Sequence, residues 1–189
     1  MRQVAGLVLA AGAGRRFGGP KALVEVAGER LVDRAVRVLR EGGCAPVVVV
    51  SGAASLDVAG AEVVAHPGWE QGMGSSFRAG LAACPREAAA VVVVLVDTPW
   101  LSPEAVRRVV GVGATDGVLA VATYEGRRGH PVLLGLRHWA GAAAAASGDR
   151  GARDYLAARG AEVLEIACDG LGDPRDVDLP ADLRPPGRR

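Results

Sequence analysis

The sequence predicts an α/β protein: a mainly parallel sheet with helices on both faces, a three-layer α/β/α sandwich in one domain. Short apolar runs alternate with helix-like stretches along the chain. The strongest runs, Val4 to Ala10, Val47 to Val50 and Ala90 to Val96, are continuously apolar, as strands buried on both faces are. A chain of 189 residues, half of them hydrophobic, suits one such domain and is tight for two.

Each element has its own signal. The first strand, Val4 to Ala10, empties into a glycine-rich loop. Leu31 to Glu41 places Leu31, Ala35, Val38 and Leu39 on one helical face and stops at Gly42-Gly43. Val47 to Val50 is a second buried strand, and Glu62 to Ala65 is a short third one. Gly74 to Ala83 reads as a helix, and Ala90 to Val96 is the most apolar strand. Ser102-Pro103-Glu104 opens a helix with a capping Ser and a Pro at the first helical position. Gly117 to Thr123 and Pro131 to Leu134 are further strands. Leu136 to Ala146 and Gly151 to Ala158 are helical, and Ala161 to Ala167 is a late strand. In such sheets ligands sit beyond the carboxyl ends of the strands, so the chemistry is expected just after them. The domain is expected over residues 1–183, and the tail from Arg184 to Arg189 is expected to fray.

Composition excludes several classes. Lys and Arg number 22 against 21 Asp and Glu, a net charge of +1, which argues against a nucleic-acid-coating protein. Cys44, Cys84 and Cys168 lie far apart with no CxxC pair, so a zinc site or redox dithiol is not expected. No apolar stretch reaches membrane-spanning length, and Met1-Arg2-Gln3 runs into a strand without a signal-peptide design. The expectation is a cytoplasmic protein. Of the 22 basic residues only Lys21 is lysine. Lys offers a compact ammonium on a flexible stem where Arg offers a planar fork.

The loop after the first strand runs Leu9-Ala10-Ala11-Gly12-Ala13-Gly14-Arg15-Arg16-Phe17-Gly18-Gly19-Pro20-Lys21. Glycines let backbone amides approach an anion closely. Arg15, Arg16 and Lys21 supply countercharge, which favours a multiply charged ligand such as a triphosphate. The loop is not a Walker A loop: Pro20 interrupts the spacing and Ala22 stands where a hydroxyl is required. A dinucleotide GxGxxG is a poor fit as well, because Gly12, Gly14 and Gly18 give GxGxxxG, with Arg15 and Arg16 where small or apolar residues are usual. A second feature is Asp97, in Leu95-Val96-Asp97-Thr98-Pro99, at the end of the most apolar strand. A carboxylate there either holds Mg²⁺, which takes few protein ligands, or caps the loop before Ser102.

The glycine loop resembles the signature of the sugar-nucleotidyltransferase-like superfamily, LAAGxGxRxGxPKxL, and every fixed position from Leu9 to Leu23 is matched. The resemblance implies a Rossmann-like nucleotidyltransferase fold. It implies that Leu9, Ala10, Ala11, Gly12 and Gly14 wrap a nucleoside triphosphate neutralised by Arg16 and Lys21; Arg15 falls on a variable position. Asp97 matches the family's metal-binding Asp-x-Pro element. The segment Asp176-Val177-Asp178-Leu179-Pro180-Ala181-Asp182-Leu183 is similar to a family segment whose polar residue at Asp178 is the usual second metal ligand. Leu179 replaces the usual Thr, and alternation puts Asp176 on the same side as Asp178.

Other segments resemble the molybdopterin cytidylyltransferase branch. Gly72-Met73-Gly74-Ser75-Ser76-Phe77-Arg78-Ala79-Gly80 resembles its GMSSSLRAG-type element. Opening a helix, it implies nucleotide contacts from Ser75, Ser76 and Arg78, with a plain helix cap as the alternative. Gly129-His130-Pro131-Val132 resembles a GHPV element, where His130 either meets the second substrate or is structural. Gly148-Asp149-Arg150-Gly151-Ala152-Arg153 resembles a GDKGAR element and places Gly151 on the acceptor side.

The resemblance implies an Mg²⁺-dependent nucleotidyltransferase, with Arg16, Lys21 and Asp97 as catalytic residues and Asp97 and Asp178 as metal ligands. It would move a nucleotidyl group, CTP favoured, onto a phosphorylated small molecule, with molybdopterin cofactor as the expected acceptor and pyrophosphate released. Alternatives are a guanylyl-transferring enzyme, another small phospho-acceptor nucleotidyltransferase, a non-catalytic partner that assists cofactor insertion into a molybdenum hydroxylase, and a dinucleotide-binding module. Neither nucleic acid nor membrane is an expected partner.

Overall fold

A computed structural model describes residues 3–184. Apart from Arg184, the tail expected to fray lies outside the described residues. The strands are β1 (Val4–Leu9), β2 (Glu25–Val26), β3 (Glu29–Arg30), β4 (Val47–Ser51), β5 (Glu62–Ala65), β6 (Ala90–Leu95), β7 (Leu119–Tyr124), β8 (Arg127–Gly135) and β9 (Leu164–Ala167). The α-helices are α1 (Leu31–Glu41), α2 (Met73–Ala83), α3 (Pro103–Val110), α4 (Leu136–Ala145) and α5 (Arg153–Ala158). Seven strands form one sheet in the order β5-β4-β1-β6-β8-β7-β9, and β2 and β3 make a separate small hairpin.

The sheet is parallel except for β8, which runs antiparallel to both β6 and β7. The reason is local. Only Glu125 and Gly126 separate β7 from β8, with φ of 51° and 74°. A two-residue turn with both φ positive is the hairpin geometry that matches strand twist. The sequence expectation started this strand at Pro131, yet β8 begins at Arg127. The ladder slips between Val121, paired with Val132, and Ala122, paired with Gly129. His130 and Pro131 fall inside that irregularity, and Pro131 has no N–H to donate to a ladder.

Both sheet faces are buried, because side chains along a strand alternate between them. Val8, Val49 and Val92 pack with α1 and α3 through Leu31, Val32, Leu39 and Val106. Leu7, Val48, Val50 and Val91 pack with α2, α4 and α5 through Phe77, Leu81, Trp139 and Leu156. Gly80 lets α2 approach the sheet closely: a Cβ there would lie 2.5 Å from Leu7 Cδ1. The α1 stripe differs in detail from expectation. Val32 and Val36 are buried while Ala35 is half-buried, because α1 packs against α3 as well as the sheet and so buries a wider face. At the late strand, residues 160–162 form a 3-10 turn and β9 starts at Leu164. Among the described residues no helix is long and apolar enough to cross a membrane.

The chain leaves β1 towards β4 and leaves β6 towards β7, on opposite sides of the β1–β6 pair. The loops after these two neighbours therefore diverge, and the crevice between them is the topological switch point where such sheets bind ligands.

Candidate active site

The crevice is an open cleft of about 820 Å³. The loop after β1 supplies Ala11 to Arg16 and Lys21, and the loop after β6 supplies Asp97. The irregular start of β8 supplies Arg128 to His130, the segment before α5 supplies Asp149 to Ala152, and the C-terminal segment supplies Asp176 and Asp178.

The glycine loop winds around one carbonyl. The amides of Phe17, Gly18 and Gly19 all donate to Gly14 O, at 2.9, 2.9 and 3.2 Å. Gly14 has a φ of +58°, and a Cβ there would lie 1.9 Å from Gly19 O, so only glycine fits. Among the described residues, the amides of Ala11 to Arg16 make no hydrogen bond to the protein. They line the cleft beside Arg16 and Lys21, an arrangement that suits a polyphosphate.

Lys21 gathers the carboxylates. Its Nζ donates to Asp97 Oδ2 and to Asp178 Oδ1, each at 2.9 Å. Arg16 Nη1 stands 3.1 Å from the other oxygen, Asp178 Oδ2. The cluster grades from half-buried to open: Lys21 and Asp97 side chains are 14% and 21% exposed, and Arg16 is 76% exposed. Burial pulls the Lys21 ammonium down, but the hydrogen bonds and charges of Asp178 and Asp97 outweigh it, so its pKa stands above the ordinary value. The Lys21 hydrogen bond holds the Asp178 carboxyl below its usual value against a smaller opposing effect of burial, with help from the charges of Lys21 and Arg16.

The backbone brings Asp178 to Asp97. After β9 the chain runs alongside the β6–α3 loop. Ser102 Oγ donates to Leu171 O at 2.7 Å, Leu101 and Gly172 form an antiparallel bridge, and Asp173 N donates to Trp100 O at 3.1 Å. Val177 N then donates to Asp97 O at 2.8 Å. Asp182 Oδ2 accepts from the amides of Asp178 and Leu179 and fixes the following turn. From the other side, Arg34 on α1 donates to Pro99 O at 2.5 Å and lies over the Trp100 ring.

Among the described residues, no three or more His, Cys, Asp and Glu side chains gather into a metal cluster. The carboxylate pair still has the chemistry for Mg²⁺, which keeps its water and takes one or two carboxylates. Asp97 Oδ1 is buried with no hydrogen-bond partner among the described residues. A buried anionic oxygen left unpaired is costly unless something cationic meets it.

His130 lines the cleft beside Val93. Its Nδ1 lies 3.2 Å from Val93 O, and a carbonyl only accepts, so Nδ1 carries the proton and the Nε2 of the neutral ring is an acceptor. Burial depresses its pKa, against smaller opposing effects of the Val93 hydrogen bond and the Asp97 charge, so the neutral ring is favoured. Val93, Val121, Val132 and Leu156 give the cleft apolar walls, and Arg153 lines it as well. Gly151, with a φ of +49°, lies against Met73 at the cleft wall.

Three residues expected to contact the nucleotide are not among those that line the cleft. Ser75 is buried, and its hydroxyl is engaged with Gly72 O, Gly68 O and His66 Nε2. Arg78 donates to Ala146 O at 2.6 Å behind the cleft wall. Ala10 packs in the core on the α1 face, with its amide on Val50 O. The α2 N-terminus is not open either: Met73 N and Gly74 N donate to Asp149 Oδ1 and Gly148 O. Ser76, by contrast, lines the cleft with Leu9, Ala11, Gly12 and Gly14. Sequence reasoning missed Arg34 and the 171–173 segment. The glycines at 170 and 172, both at positive φ, were the only available signal for the latter.

Residues 6–163 match the MobA-like NTP transferase domain family. The chain is 38% identical to nicotine blue oxidoreductase of Paenarthrobacter nicotinovorans, over 93% of this chain and 92% of that protein. It is 40% identical to a probable molybdenum cofactor guanylyltransferase of Opitutus terrae, over 51% of this chain and 48% of that one. The crystal structure of Rv0371c of Mycobacterium tuberculosis, in complex with manganese, superposes with a TM-score of 0.77 at 29% identity, covering 95% of both chains. With its glycine loop, its carboxylates at the switch point and the match over most of its length, the chain belongs to the MobA-like NTP transferase domain family, in the nucleotidyltransferase superfamily.

Proposed function

We propose that this chain transfers a nucleotidyl group from a nucleoside triphosphate to a phosphorylated small-molecule acceptor, using a divalent cation held by Asp97 and Asp178. The observation that carries the reading is the pair of carboxylates and two cations assembled from three chain segments beside a glycine loop. The manganese in the Rv0371c complex supports a divalent ion, and Mg²⁺ is the ion proposed here. A metal ion at such a site supplies charge neutralisation at phosphate oxygens.

The protein's own part is to align and to neutralise. The amides from Ala11 to Arg16 bind the triphosphate, and Arg16 and Lys21 take up the charge that grows on the leaving pyrophosphate. An acceptor phosphate oxygen forms a bond to the α-phosphorus. The bond from the α-phosphorus to its bridging oxygen breaks, and the electron pair leaves with pyrophosphate. An ionised phosphate needs no general base. Molybdopterin cofactor is the acceptor we favour, supported by the name of the Opitutus relative. The apolar walls around Val93, Val121 and Val132 suit a planar ring, with His130 Nε2 accepting from a ring N–H. CTP is favoured over GTP on the sequence Leu9-Ala10-Ala11-Gly12.

One observation favours a second reading. The Paenarthrobacter relative, similar over nearly its whole length, is named an oxidoreductase. In that reading a nicotinamide dinucleotide lays its diphosphate on the glycine loop and gives hydride to a second substrate at the apolar walls. A thermal-shift series with CTP, GTP and NAD(H), each with Mg²⁺ and with chelator, separates the two. Stabilisation by a triphosphate that chelator abolishes is the expected result. Stabilisation by the dinucleotide alone, indifferent to chelator, would replace the first reading with the second.

A further inference from the structure

Lys21 is the chain's single lysine, and its ammonium is equidistant from the two carboxylates proposed to hold the metal, 2.9 Å from each. Arg16 takes the remaining oxygen of Asp178. Two positive and two negative side chains therefore form a neutral cluster. Of the four carboxylate oxygens, the buried Asp97 Oδ1 is the one left without a partner among the described residues. A divalent ion entering this cluster would meet the ammonium at close range, in a half-buried setting that screens repulsion poorly. A polyphosphate on the neighbouring loop changes the balance. It offers both cations anionic oxygens a short reach away, and the Lys21 stem is flexible enough to follow.

We propose that Lys21 is a placeholder cation: it holds Asp97 and Asp178 together and keeps divalent metal out until a triphosphate draws it away, so metal and nucleotide enter together. The inference rests on the metal-dependent reading above. It also gives the lone lysine a role that arginine would fill poorly, since a compact ammonium bridges two carboxylates that a planar fork would hold apart.

Manganese binding tests this with the full chain, read from the electron paramagnetic resonance signal of free Mn²⁺ when the ion is alone and, because CTP itself chelates Mn²⁺, from the metal retained with the protein on ultrafiltration when CTP is present. Wild type is expected to bind Mn²⁺ weakly on its own and tightly with CTP present. Lys21→Met is expected to bind Mn²⁺ alone about tenfold tighter or more than wild type, because a charge repelling the ion is gone. Adding Asp97→Asn to Lys21→Met should abolish that gain. Equal affinity of wild type and Lys21→Met for Mn²⁺ alone would overturn the placeholder while leaving the metal-dependent reading intact. Failure of both to bind Mn²⁺, with or without CTP, would overturn the metal-dependent reading itself. A second measurement needs no variant. In protein labelled with ¹⁵N-lysine, the Nζ resonance of Lys21 should stay in place on adding Mg²⁺ alone and move when CTP accompanies it. A full shift with Mg²⁺ alone would contradict the proposal.

Discussion

Gly172 passes under the carbonyl of Trp100 so closely that a Cβ at 172 would lie 2.6 Å from that oxygen, and its φ of +105° suits glycine alone. This approach docks the C-terminal segment on the loop after β6 and so carries Asp178 to Asp97. Gly172→Val is therefore expected to lower stability by about 1–3 kcal/mol and to weaken Mn²⁺ binding in the presence of CTP. Urea denaturation and the same binding measurement check the two effects. Wild-type metal binding in a destabilised Gly172→Val would show that the docking does not position Asp178.

Ser75 is expected to matter for stability and not for nucleotide. Its hydroxyl ties Gly68, Gly72 and His66 together at the entrance to α2. Ser75→Ala should lose about 1–2 kcal/mol of stability with an unchanged dissociation constant for CTP, whereas Ser76→Ala, in the cleft wall, should weaken CTP and leave stability nearly unaltered. Calorimetric titration beside a denaturation curve separates them.

His130 should act on the second substrate. His130→Phe keeps a ring but removes the acceptor nitrogen, and it is expected to raise the acceptor KM about tenfold with the KM for CTP unchanged. A rise in the KM for CTP alone would separate His130 from the acceptor.

The ion cluster also sets a pH dependence. Asp178 titrates below its ordinary 3.8 in the folded protein, so the stability it contributes is present above that ordinary value and fades as pH falls through the depressed one. Lys21 titrates above its ordinary 10.5, so its contribution is complete below 10.5 and fades as pH rises through the folded value. Between those limits both contributions stand. Asp178→Asn should flatten the acid limb of the stability curve and move the alkaline loss of Lys21 closer to 10.5, as followed by urea midpoints across pH.

Much of this architecture is legible in the sequence, and the exceptions have physical causes. Val47 to Val50 and Ala90 to Val96 announce central strands because both their faces are buried, leaving no polar alternation to confuse the period. Ser102-Pro103 announces α3 because the cap is local, and Ser102 Oγ does accept from Ala105 N. The reversal of β8 is not legible, since it hangs on one Glu-Gly turn and on a proline that, by sequence alone, suits a strand start. Lys21, Asp97 and Asp178 were nameable one at a time. The resemblance implied that Asp97 and Asp178 share a metal, but the direct contacts of Lys21 with both were not legible, because those partners lie 76 and 157 positions away and are brought in by the 171–177 docking, for which the glycines at 170 and 172 are a weak signal. Ser75 and Arg78 show the converse: a motif names residues that matter, but whether a hydroxyl faces the cleft or the loop behind it is a tertiary fact.

Pyrophosphate release is the measurement on which a role for Asp97 in metal-dependent nucleotidyl transfer stands or falls. With CTP, Mg²⁺ and molybdopterin cofactor, wild type should release pyrophosphate in step with acceptor consumed, and chelator should stop it. Asp97→Asn, folded as wild type by its melting curve, should be slower by about 100-fold or more. Pyrophosphate release by Asp97→Asn at the wild-type rate, or undiminished release in chelator, would rule out that role.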